Sequence, residues 1–147
     1  MGKQPTKNLL IKNSADIIQK FKNDGLEFYQ SINKIQLFSF KNFLLVILQN
    51  LKKDYEAQYK TILIPTDDYL SFYKRKRGNI QQEFAKESKE NINFSLDSKD
   101  YDLYYSLMHT YFVNNSKNYS NYSTSIFFAE IINNYLPNKK LIEFETS

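Results

Sequence analysis

The chain has no cysteine and no tryptophan, one histidine, three glycines and three prolines among 147 residues. Without cysteine there is neither a disulfide scaffold nor a thiolate metal site, which fits a reducing compartment. So few turn formers argue against an all-β protein and favour helices. The glycines are isolated, so there is no glycine-rich phosphate loop. Long apolar runs are missing too: the longest, Phe43 to Leu48, is far short of a bilayer span. The first residues, MGKQPTKNLLIKNS, lack the apolar core of a signal peptide. A cytoplasmic protein away from the membrane is therefore expected. Asn-x-Ser matches such as those at Asn93 and Asn121 then read as chance in an Asn-rich chain. The lone His109 lies in an aromatic helical run and is expected in the core or at its boundary. No His, Cys and carboxylate cluster has metal-ligand spacing, and no catalytic residue, metal or cofactor is expected.

Aromatic residues are abundant instead, with 12 Tyr and 12 Phe, and 41% of the chain is hydrophobic. That is enough to build a sizeable core. The cations are 18 Lys and only two Arg, beside many Asn, Ile and Tyr. AT-rich codons produce this profile, which points to a low-GC bacterium, plasmid or phage. The net charge of +4 is unevenly spread: residues 1–90 carry +6 and residues 91–147 carry −2. The basic half implies an anionic partner.

The chain divides into a polar tail (1–8), a strand–helix–helix unit (9–55), a basic insertion or linker (56–90), a second strand–helix–helix unit (91–137) and a tail (138–147). In the first unit Leu9 to Ile11 can form a short strand. Ser14 is placed to cap a helix over Ala15 to Asn33, with Asp16 in its first turn and Gly25 weakening its middle. Ser39 can cap a second helix from Phe40. In the insertion, Lys60 to Pro65 reads as a short strand stopped by proline. Thr66 then caps a helix whose Asp67 and Asp68 suit its dipole, and Asn79 to Glu90 reads as a polar helix. Within the final tail, Leu141, Ile142 and Phe144 are available to dock on the body.

Residues 91–136 have the clearest pattern. Alternation puts Ile92, Phe94 and Leu96 on one strand face and Asn91, Asn93 and Ser95 on the other. Ser98 is placed to cap an aromatic-rich helix, a polar connection follows from Asn114 to Tyr122, and Ser123 or Thr124 starts a second helix ending near Pro137. A unit this small needs a twin to cover its apolar face. Compared with itself at an offset of 84, the chain places Ser14 on Ser98, Ser39 on Ser123, Phe43 on Phe127, Ile47 on Ile131 and Asn50 on Asn134. A shorter echo at an offset of 32 sets Thr66-Asp67-Asp68-Tyr69 on Ser98-Lys99-Asp100-Tyr101, a shared helix-start signature. Three partners for strand 92–96 stay open: residues 9–12, residues 60–64, or its copy in a second chain.

This pattern resembles the ribbon–helix–helix family of DNA-binding proteins, the group containing the Arc, MetJ and CopG repressors. The resemblance implies a mainly α fold with short β-strands, assembled as a dimer or, if the offset of 84 is structural, as an intrachain pseudo-dimer. It implies a paired ribbon in the major groove of double-stranded DNA, with Asn91, Asn93 and Ser95 reading bases. Ser123, Thr124 and Ser125 would meet phosphate at the start of the second helix. The implied role is non-catalytic: a transcriptional repressor, or a plasmid or mobile-element maintenance or transfer factor. The chain departs from the family in its long, glycine-free connection between helices and in a strand without Lys or Arg.

The densest charge run, Lys74-Arg75-Lys76-Arg77, can neutralise phosphates, and Tyr69 and Tyr73 beside it could stack on unpaired bases. Its bland reading is a solvated helix end stopped by Gly78. The alternative function is a protein-interaction module of a phage or mobile element, an inhibitor or antitoxin. An aromatic stripe left over from the core would also serve self-association.

Overall fold

In the computed structural model, residues 5–74, 89–115 and 122–143 are described. Two strands form where apolar and polar residues alternate, β1 over Thr6–Ser14 and β2 over Lys89–Asp97. They pair antiparallel into a two-stranded ribbon, with Leu10 opposite Asn93 and Ile11 opposite Ile92. Residues 6–14 of the same chain are therefore the partner of strand 92–96, and each strand runs beyond the residues the sequence suggests. Side chains alternate across the ribbon, so Leu9, Ile11, Ile92, Phe94 and Leu96 point into the core.

The helices are α1 (Ala15–Ser31), α2 (Phe40–Tyr59), α3 (Asp67–Lys74), α4 (Ser98–Asn115) and α5 (Thr124–Glu130). The last continues through a π-helical turn, Ile131–Tyr135, and a 3-10 turn, Leu136–Asn138. Their starts follow local chemistry. The hydroxyls of Ser14, Ser39 and Ser123 accept the N–H groups of Ile17, Asn42 and Ile126 at 3.3, 3.0 and 3.4 Å, using amides that the first helical turn leaves free. Ser98 behaves differently from the expected cap. It is the first residue of α4, and both its N–H and its hydroxyl donate to the Pro5 carbonyl, at 3.0 and 3.2 Å. Helix α1 stops at Asn33, whose φ of 59° is the left-handed conformation that Asn tolerates.

Strand, helix, helix thus occurs twice, and the two sets interlock. Both α1 and α4 touch both strands, α2 packs on β2 and α4, α5 packs on β1, and the π turn after α5 packs on α1. Phe21 of α1 sits at the junction, its ring 5.3 Å from Phe43 of α2, 5.8 Å from Phe94 of β2 and 5.1 Å from Phe128 of α5. Each such pair adds about 0.5–1.5 kcal/mol beyond the area it buries.

Further expectations change. Lys89 and Glu90, expected at the end of a polar helix over Asn79 to Glu90, open β2, and residues 79–88 lie outside the described residues. Residues 60–65 form no strand: Lys60 ends α2 at a φ of 78°, and the N–H of Leu63 donates to Thr110 Oγ1 of α4 at 2.8 Å. The segment lies over a helix, where no strand edge is offered. The final tail is docked as far as Glu143, as the apolar Leu141 and Ile142 allow, and Phe144 lies outside the described residues. The buried Asn50 amide donates to Ile142 O at 2.8 Å while its oxygen accepts Ile142 N–H at 3.0 Å, and Lys34 pairs with Glu143 at 2.7 Å.

Candidate nucleic-acid interface

The outer face of the ribbon is open to solvent. From β2 it presents Asn91, Asn93 and Ser95, all exposed and alternating with the buried residues. From β1 it presents Thr6, Asn8, Leu10 and Lys12, in facing rows: Thr6 beside Asp97, Asn8 beside Ser95, Leu10 beside Asn93, Lys12 beside Asn91. The β1 contribution was missed from sequence, although the signal is present: Leu9 and Ile11 alternate with Asn8, Leu10 and Lys12. At the centre of the face Leu10 is 56% exposed, which is unusual for an apolar side chain in so polar a setting. An antiparallel ribbon of this width fits a DNA major groove.

Ser123, Thr124 and Ser125 sit at the end of the ribbon where β1 finishes. The Lys12 N–H donates to Ser125 Oγ at 3.2 Å and Asn13 Nδ2 donates to Ser125 O at 2.9 Å. Tyr104 Oη donates to Thr124 O at 2.7 Å, fixing the same turn against α4. Lys12 therefore lies beside Ser125, and Lys89, the first residue of β2, pairs opposite Ser14 at the same end of the ribbon, while Ser123 is buried with its hydroxyl committed to the Ile126 N–H.

Lys74 is at the other end. Its Nζ lies 5.6 Å from the Tyr101 ring centre and 5.3 Å from that of Tyr105, and Lys7 Nζ stands 5.2 Å from the same Tyr101 ring. From Lys7 to Lys12 the strand spans about 17 Å at ~3.3 Å per residue, so Lys74 and Ser123–Ser125 are not one cluster. They mark opposite ends of the ribbon. Arg75, Lys76 and Arg77 lie outside the described residues, as does Gly78. Lys22 is drawn to Glu90 at 3.7 Å, on the flank of β2.

Tyr73 does not fit the base-stacking role. It is 1% exposed, and its Oη makes a 2.7 Å hydrogen bond with His109 Nδ1. Tyr69 remains partly exposed, but its ring packs 4.6 Å from the imidazole. Burial holds the His109 pKa below its ordinary 6.5, in line with a buried aromatic neighbour. Asp67 and Asp68 occupy the first turn of α3. Among the described residues no group of three His, Cys, Asp or Glu side chains could hold a metal ion, and no helix is long and apolar enough to cross a membrane. Comparison with protein-family models, curated proteins and solved structures finds no match for the chain.

Proposed function

We propose that the chain binds double-stranded DNA sequence-specifically and without catalysis, through the outer face of the β1–β2 ribbon, as a transcriptional repressor or a plasmid or mobile-element maintenance or transfer factor. The carrying observation is that face: a row of exposed side chains from each strand on a ribbon whose other side is fixed in an aromatic core. In this reading the chain is a ribbon–helix–helix pseudo-dimer in which β1 supplies the second strand. Asn91, Asn93 and Asn8 can donate and accept at adenine, Ser95 at either kind of base, and Leu10 can meet a thymine methyl group. Lys12, Thr124 and Ser125 engage phosphate at one end, and Lys7 and Lys74 do so at the other, with Arg75, Lys76 and Arg77 adding charge to the attraction. Because the two rows differ, the preferred site is non-palindromic, unlike that of an identical dimer.

The test is selection from a random duplex pool, followed by binding at 50 mM and 200 mM salt. About six phosphate contacts (Lys7, Lys12 and residues 74–77) give a salt slope near −5, hence a loss of about a thousandfold in affinity across that range. Asn93→Ala with Ser95→Ala should relax sequence preference, whereas replacing residues 74–77 should weaken all duplexes alike. Negligible binding at both salt concentrations sinks the proposal. One observation favours the protein-interaction reading: Leu10, exposed at the ribbon centre, is the kind of apolar anchor that a protein partner would cover. Leu10→Asp would then abolish partner capture while no duplex is selected.

A further inference from the structure

At the far ends of α2 and α4 from the ribbon face there is a half-open cavity of about 260 Å³. Half of its ten lining residues are aromatic, beside the polar Gln58, Asn115 and Asn134. Tyr55 and Tyr59 come from α2, Tyr111 from α4, Phe127 from α5 and Tyr135 from the π turn. Tyr55 meets Tyr59 edge-on at 5.3 Å and stacks with Tyr111 at 6.2 Å, and Tyr111 meets Phe127 at 6.0 Å. Asn115 Nδ2 donates to Tyr59 Oη at 2.8 Å, fixing that ring at the rim.

Glu130 also lines the cavity, half-buried, and no ion pair reaches it among the described residues. The nearby carboxylate of Asp54 is already occupied, by Lys139 at 2.7 Å and by Tyr135 Oη. The hydroxyl of Tyr55 is pushed well above its ordinary pKa, first by burial, then by Tyr59 and Tyr111 and by the Glu130 and Asp54 carboxylates. With Asp54 neutralised by Lys139, whose Nζ also stands 5.8 Å from the Tyr135 ring, Glu130 is the carboxylate left to face the tyrosine-lined cavity, and tyrosine rings attract a cation. A second feature marks the wall: the helix that carries Glu130 passes into a π-helical turn whose Ile131, Asn134 and Tyr135 border the cavity. Such turns recur at functional sites because they re-aim side chains.

We propose that this cavity binds a small organic cation of the alkylammonium class, held by the tyrosine rings and neutralised by Glu130. The assignment is independent of DNA binding, since the cavity shares no residue with the ribbon face. Choline and its uncharged isostere 3,3-dimethyl-1-butanol are the probes, each titrated into the full chain and followed by the ring resonances in NMR spectra. Choline should saturate and shift rings that line the cavity, with the isostere about tenfold weaker. Glu130→Gln should weaken choline several-fold and leave the isostere unchanged. Tyr111→Leu should weaken choline while the spectrum outside the cavity stays native. Equal binding of the two probes, indifference to Glu130→Gln, or no saturation by choline overturns the proposal.

Discussion

Gly25 offers a sharp test of the packing, because two effects of similar size oppose each other there. It lies mid-helix in α1, where replacing glycine by alanine normally stabilises by about 1 kcal/mol through chain entropy. Its surroundings reverse that expectation. A methyl group at Gly25 would stand 2.6 Å from Phe38 Cε1, 2.9 Å from Phe43 Cδ2 and 3.2 Å from Phe43 Cγ. Phe38 is half-buried on the connection before α2 and can swing away, though doing so strips its contacts with Tyr29 and Phe40 at 5.9 and 5.6 Å. Phe43 has no such freedom: it is fully buried and wedged between Phe21 and Phe28. Overpacking of this kind costs about 1–3 kcal/mol. Set against the ~1 kcal/mol propensity gain, Gly25→Ala should destabilise by about 1 kcal/mol, or roughly 3 °C in Tm for a chain of this size. Urea unfolding followed by far-UV circular dichroism measures this directly. A variant more stable than the parent would refute the close approach of the Phe43 ring to α1, and with it the placement of α2.

Two further outcomes follow from side chains away from the ribbon. Asn50→Ala should free residues 139–143, because two hydrogen bonds of about 1 kcal/mol each hold Ile142; the Ile142 amide should lose its exchange protection and Lys139–Lys140 should become a trypsin site, while β1 and β2 amides keep their protection. His109 should titrate below 6.5, since burial lowers its pKa; the unfolded chain then takes up the proton first, so the stability it contributes is present above pH 6.5 and is lost as pH falls below that value. As the only histidine, its ring resonances give the midpoint without assignment, and a midpoint above 6.5 would mean that the Tyr73–His109 contact is not as described.

What could be read in advance was local. Ser14, Ser39 and Ser123 announce helix starts because the cap is a bond between near neighbours. Ile92, Phe94 and Leu96 announce a strand because period-two alternation has few other uses. The choice among the three ribbon partners, the burial of Tyr73 and the place where Ile142 docks were not legible, since each depends on residues far apart in the chain. Residues 60–65 show the same limit from the other side. Their β-branched and apolar content suits a strand, but the Leu63 amide is claimed by a threonine on α4. Tyr69 and Tyr73 look equivalent beside a basic run, and only helix packing distinguishes the partly exposed ring from the buried one.

The ribbon explains why the internal echo was faint. The helices repeat at a spacing of 84, α1 and α4 ending at Ser31 and Asn115 and α2 and α5 starting at Phe40 and Thr124. The strands repeat at 83, residues 6–14 against 89–97, and Leu10 faces Asn93 at the centre of the pairing. Both strands are nine residues long and run directly into their helices, Ser14 preceding Ala15 and Asp97 preceding Ser98; the additional residue lies within α4, which has 18 residues where α1 has 17. Self-comparison at one offset therefore aligns the helices and puts the strands out of phase, Leu10 falling on Phe94 and an outward position on an inward one. Asn13 also replaces an apolar residue in the core, and its buried amide is used at both ends: its oxygen accepts the Ser14 N–H at 3.0 Å and its nitrogen donates to Ser125 O. That bond ties α5 to β1 and has no counterpart for Leu96 on the other strand. Two copies of one chain must present identical rows, whereas strands joined in a single chain are free to diverge. Here the rows read Asn8, Leu10, Lys12 and Asn91, Asn93, Ser95, and in the DNA-binding proposal the difference between them is what a non-palindromic target would select.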